Sequence, residues 1–418
     1  MAKWALRNSY VRIFGPLCIA AFVSAGDTEP RWSALNKTAR EAVQAKDYGK
    51  LRTTLIELRP LSPGNPRVAY NLAASEAMLG HREAALAALR NWSGMGLVYD
   101  VAGDDDFASV REPPEFRGIL ERVAESRRAV SGSAPAFAIA EADILPEDIA
   151  YDAKSRRFFV SSVRQGRIVT GDGKLFARAE WSVLALRADA KRRTLWATTG
   201  WVPHCALCKA ADKDRTSLLA FDLDTGALRQ RVESPVPGLL GDMTLGRGGD
   251  VYVSEGIHGA VLRLKAGAKE FERLDAEGEF PSPQTPALSA DERILYVPDY
   301  VRGIAAIHLR DRKVEWLVPA DDIALSGIDG LYVYGGGFLA VQNGTSPARI
   351  VRFTGDLKGM RVLETNTPGL GEPTHGVIVG NEFYFIANSG WGGYDGEGKK
   401  KAGSAAVVSS VRKIRLDR

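Results

Sequence analysis

The stretch TTGWVPHCALCKAADKDR, residues 198–215, sets His204 beside Cys205 and Cys208. Three chemistries suit that spacing: a thiolate metal site, a redox-active dithiol, or a disulfide clipping a loop. Zinc would need a fourth ligand, and Asp212 or Asp214 would be an unusual one. The order His-Cys-x-x-Cys is not the haem-attachment order, which puts histidine last. In an oxidising compartment the expectation is a local disulfide, with Trp201 and His204 placed to touch a ligand. A second set of polar residues recurs at one position of successive apolar runs: Ser162, Glu255, Asp299, Asn343 and Asn388. They either line a binding channel or serve as turn residues at strand ends. His375, in EPTHGVIVG, is a candidate ligand, general base or hydrogen-bond donor. Phosphate loops in strand–helix context, HExxH and GxSxG are absent from the sequence.

The compartment follows from the N-terminus. Lys3, Arg7 and Arg12 precede the apolar run IFGPLCIAAFVSA, and VSA ends at Ala25. Residues 1–25 therefore read as a secretory signal, and the mature chain as periplasmic or secreted. Cleavage removes Cys18 and three positive charges, leaving two cysteines and a nearly neutral chain. That balance gives no case for nucleic acid, and no later segment is apolar and long enough to span a membrane.

Two regions must position these residues. Residues 33–130 carry apolar residues at helical spacing. Ala39 aligns with Ala73, Lys46 with Gly80, Tyr48 with Arg82 and Leu51 with Ala85, an offset of about 34 residues that resembles the tetratricopeptide repeat. PPEFRGILERVAESRRAV is expected to cap the stack. SGSAPAF, 131–137, reads as a linker. From there to the C-terminus, 136–418, short strands dominate: RRFFVSSV, RTLWATTG, DVYVSEG, RILYVPDY, GGFLAVQNG and NEFYFIANSG. Six such units, most about 40–45 residues apart, predict an all-β six-bladed propeller behind an α-helical domain. The longer gap after the second unit holds the His-Cys stretch. VVSSVRKIRL is expected to pair near FAIAEAD and close the ring. GWGGYDGEGKKKAG reads as a mobile glycine-rich loop from which Trp391 could cover the channel mouth.

Four phrases carry a family resemblance: LPEDIAYD, LGDMTLGRGGDVYVSE, SPQTPALSADERILYVPDY and GIDGLYVYGGGFLAV. Together they make residues 145–395 similar to the senescence marker protein/gluconolactonase family. The resemblance implies one divalent ion in the propeller channel, calcium first and zinc second. It implies Glu147, Gln284 and Asp329 as ligands, with Asp329 also the general base of lactone hydrolysis and Asp242 at the substrate. Gln284 stands where the family has asparagine, and Gly241 where it has a substrate-binding asparagine. Carboxylate and amide oxygens suit a hard cation, and carboxylates that converge need a cation or raised pKa values. His375 occupies the equivalent point of the sixth blade.

Two functions are expected from this: a metal-dependent lactonase or esterase, with Asp329 and His375 catalytic, or a non-enzymatic binding module. In either case a small molecule would occupy the channel, touching Asp242, Trp201, His204, Asp299, Asn343 and Asn388. A protein or peptide would occupy the helical domain.

Overall fold

The computed structural model describes residues 29–139, 141, 143–404 and 407–417. The signal sequence and Cys18 lie outside the described residues. No described helix is long and apolar enough to cross a membrane.

Five helices come first: α1 (Arg31–Ala45), α2 (Tyr48–Leu58), α3 (Pro66–Met78), α4 (Arg82–Gly94) and α5 (Pro114–Glu125). The sequence offset becomes geometry here, since α2 and α4 begin at the aligned residues Tyr48 and Arg82. Ala39, Ala73, Leu51 and Ala85 are all buried where the helices meet. Lys46 and Gly80 both take positive φ, 56° and 79°, at the turn between paired helices. Asn65 caps α3, its side chain accepting from the backbone of Arg67 and Val68.

Six four-stranded antiparallel sheets follow, each consecutive in the chain except the last. The inner strands are Ile149–Asp152, Ser182–Asp189, Leu240–Leu245, Ala287–Leu288, Gly330–Tyr334 and Gly376–Val379, for blades one to six. The sixth blade joins both ends of the propeller region: Ser133–Ala138 pairs with Ser410–Arg415, which pairs with Glu382–Asn388. The presumed linker is thus the outermost strand of the ring. Pro135 is tolerated there because an edge strand need not donate on both sides, and a bulge follows it.

Within each blade the start of the inner strand lies beside the end of the second strand, as where Gly330 pairs with Val341. We call this face the upper one. The helical region rests on it over blades four and five. Asn65 Nδ2 donates to Val301 O at 2.8 Å, Leu325 N to Gly64 O at 2.9 Å, and Arg302 Nε to Leu61 O at 2.9 Å. Arg349, fully buried in blade five, reaches Met95 O at 2.7 Å. The docking is intimate: Ala324 of the propeller belongs to the apolar core of the helices.

Candidate functional site

Four blades deliver acidic or imidazole side chains to the top of the channel. Glu147 precedes the inner strand of blade one, Asp242 lies in that of blade three, and Asp329 and His375 immediately precede those of blades five and six. All are buried, His375 at 2%, Asp329 at 4%, Glu147 at 5% and Asp242 at 6% exposure. His375 is the hub. Its Nδ1 lies 3.0 Å from the main-chain oxygen of Glu147 and 3.8 Å from Glu147 Oε1. Its Nε2 lies 2.7 Å from Asp242 Oδ1 and 3.5 Å from Asp329 Oδ1. Despite that closeness Nε2 has no well-aligned hydrogen bond.

Each carboxylate has one oxygen held by a side-chain donor. Trp391 Nε1 donates to Glu147 Oε2 at 2.7 Å. Asn343 Nδ2 donates to Asp329 Oδ2 at 2.5 Å, and Tyr300 Oη holds Asn343 through its Oδ1 at 3.0 Å. Thr285 Oγ1 donates to Asp242 Oδ1 at 2.6 Å. Burial pushes the Glu147 carboxyl up to about 8, against the opposing charge of His375. Burial likewise raises Asp329 to about 6. For His375, burial works against the charged form, but the charges of Asp329 and Asp242 outweigh it and hold the imidazole well above its usual value.

The donor set fits a metal ion. Ligand atoms of Glu147, Asp329 and His375 all lie within 4.8 Å of one another. With Nδ1–H given to the Glu147 carbonyl, loss of the Nε2 proton would free a lone pair facing Asp242 and Asp329, an arrangement typical of metal-binding histidines. A buried Nε2 that meets two carboxylates without a well-aligned hydrogen bond is the observation a cation would explain.

Other expected residues are placed elsewhere. Gln284 starts blade four as anticipated, but its amide nitrogen donates to Ser282 O and Oγ at 3.2 and 3.1 Å. The next residue, Thr285, reaches the cluster instead. In the second ring, Glu255 accepts from the backbone of Leu239, Ile257, His258 and Gly259. Asp299 accepts from Ser282, Val301 and Arg302, and Ser162 from Gln165. These three stitch their own turns. Asn343 alone is bonded to the cluster; Asn388 stands against Gly371.

Asp148, beside Glu147, is a structural tie missed in the sequence. It accepts from Leu186 N at 2.8 Å and Arg187 Nη1 at 2.5 Å, joining blades one and two. Below the cluster, Arg187 and Tyr332 border a channel cavity of about 260 Å³ walled by inner strands of blades three to six.

The cysteines form a disulfide in the loop joining the second and third strands of blade two. Next to them His204 is buried, which pushes its imidazole down to about 4. Its ring lies edge-on to Trp391, centroids 4.6 Å apart. The glycine-rich loop is therefore not a loose strand end. Residues Trp391–Gly393 form a 3-10 turn, and Trp391 and Tyr394 pack into one apolar cluster with Cys205, Val202 and Leu239. The aromatic contacts outweigh the freedom of the glycines. Trp201 lies outside the cluster, in the wall of a groove of about 480 Å³ beside the disulfide.

No family model matches the chain, and no curated protein sequence is similar to it. Among solved structures, a gluconolactonase from Xanthomonas campestris is 15% identical with a TM-score of 0.47, covering 69% of this chain and 98% of its own. A PQQ-bound aldose sugar dehydrogenase from Streptomyces coelicolor is 14% identical with a TM-score of 0.43, covering 67% and 98%. The six blades described above rest on strand pairing alone.

Proposed function

We propose that the chain is an exported metal-dependent hydrolase acting on a lactone or ester at the top of its propeller channel. The carrying observation is the convergence of Asp242 and Asp329 on the unaligned Nε2 of His375, with Glu147 at its Nδ1 and within ligand reach of the same cluster. The family resemblance of the sequence phrases points the same way. Glu147, Asp329 and His375, with Asp242 beside them, would hold the cation. An imidazole among the donors suits zinc or another first-row ion better than calcium, which prefers oxygen alone. When bound, such an ion polarises a carbonyl and acidifies water.

The protein's own groups do the rest. Asn343 fixes Asp329 Oδ2, which leaves Oδ1 to take the proton of the attacking water. The water oxygen bonds to the carbonyl carbon, the ring or ester C–O bond breaks, and the leaving oxygen takes up a proton. A carboxyl poised at about 6 accepts and returns a proton near neutrality. Trp391 shields Glu147 and keeps bulk water out.

Elemental analysis of purified protein should find about one divalent ion per chain, and Asp329→Asn should abolish hydrolysis of lactone and aryl-ester panels. Absence of both metal and hydrolysis would sink the reading. The depth of the cluster supports a second one, a binding module without turnover. On that reading the tetratricopeptide-like helices, with exposed Ile56, Met78 and Leu79, hold a protein or peptide. A metal-loaded chain that binds ligand and turns over nothing would favour it.

A further inference from the structure

We propose that the Cys205–Cys208 disulfide is a thiol-exchange site for a small dithiol, and that opening it unseats Trp391 from Glu147. The bridge is reachable. Both cysteines line the groove of about 480 Å³, together with Trp201, Lys209, Lys213 and Glu397. Cys205 is buried at 9% exposure, whereas Cys208 is half-buried. Among the described residues Lys209 and Lys213 form no ion pair, and they would draw in a thiolate.

The two sulfurs are not equivalent. The backbone N–H of Cys208 donates to Cys205 Sγ at 3.1 Å. A thiolate leaves more readily when a donor stabilises it, so Cys205 is the leaving sulfur and Cys208 the one attacked. An incoming thiolate bonds to Cys208 Sγ as the bridge breaks, and Cys205 departs with the electron pair and then takes a proton. The second thiol of the reagent attacks the mixed disulfide and releases Cys208. The reagent is oxidised to its cyclic disulfide and the protein gains two thiols.

The consequence travels by contact. Cys205 packs in one cluster with Trp391 and Tyr394, and the neighbouring His204 ring abuts both. Two thiols need more room than a bonded pair, and a packed cluster yields little. Trp391 Nε1 holds Glu147 Oε2 at the other end of the same ring. Because the cross-link spans so few residues, its opening leaves the global fold standing.

The test uses the metal-free full chain with Cys18→Ser, so that two cysteines report. Dithiothreitol should release two thiols from folded protein at a rate proportional to its concentration. Tryptophan emission should change in step and return on reoxidation, and Trp391→Phe should lose that change while keeping the exchange. Glutathione should be trapped on Cys208. A reduction rate independent of dithiothreitol, limited by unfolding, would overturn the proposal. So would unchanged emission, or an adduct on Cys205. Because no cation enters, a failed metal assay would remove the hydrolase reading and leave this one to its own result.

Discussion

Two rings of polar residues crown the propeller, and they differ in who donates to them. Glu147 and Asp329, at the starts of inner strands, each have one oxygen held by a side chain, while His375 faces the other. Glu255 and Asp299, at the ends of second strands, are buried at least as deeply. Burial raises the carboxyl in both rings. Yet Glu255 is surrounded by four backbone N–H groups and Asp299 by three. A carboxylate saturated by the backbone is a fastener. One that faces another carboxylate is held in readiness for something else. Burial and perturbed acidity alone do not tell the two apart.

That contrast can be broken in several ways. The largest effect is expected at Asp329→Asn, a loss of about 10³-fold or more in hydrolysis. The same change should leave the metal-free protein as stable or more so in denaturant melts, because it relieves like charge. Glu255→Ala should do the reverse. It leaves four N–H groups, those of Leu239 and Gly259 buried, without their acceptor and should cost about 3 kcal/mol, while folded molecules keep their cation affinity by calorimetry.

Trp391→Phe keeps the ring and removes the donor to Glu147, so cation affinity should change by about 10-fold. Titration sharpens the comparison further. Glu147, raised from 4.5 to about 8, and Asp329 and Asp299, each raised from 3.8 to about 6, all hold protons more tightly when folded. Their contribution is complete below the lower values and is lost as pH rises through the upper ones. Their share of the stability of metal-free protein should therefore fall from about pH 4 to about pH 8, while the depressed His204 works in the opposite direction between about 4 and 6.5. In Glu147→Gln/Asp329→Asn the loss between about pH 6 and about pH 8 should be smaller than in the unsubstituted protein, because the contribution of Glu147 is gone. Thermal melts across that range decide it. The smallest effect is expected for Cys205→Ser/Cys208→Ser, at most about 2 kcal/mol, since so short a loop gains little from cross-linking.

Much of this architecture is local and therefore legible in sequence. Each blade is a run of short alternating strands between glycine and aspartate turns, so the second strands fall where the pattern puts them. The phase of Glu147, Asp329 and His375 at strand starts is local too. Gln284 has its amide nitrogen drawn aside by Ser282, and its neighbour Thr285 is the side chain bonded to Asp242, a difference of one position that the strand pattern does not register. The second ring misleads because an acidic residue at a strand end reads the same whether it turns to the channel or to its own turn. Partnerships across the ring carry no local signature. Trp391 and Glu147 are separated by 244 positions, and Tyr300 acts on Asp329 through a neighbour in another blade. SGSAPAF, read as a linker from its small residues, holds an edge strand instead.

The sixth blade has a further consequence, in the order of events during synthesis. Its outermost strand, Ser133–Ala138, emerges before any other strand of the propeller, and its partner, Ser410–Arg415, emerges after all of them. Until then the sheets form an open fan with unpaired edges, the arrangement most prone to pairing with a neighbouring chain. The helices α1–α5, made first, and their seat on blades four and five are available before the ring shuts.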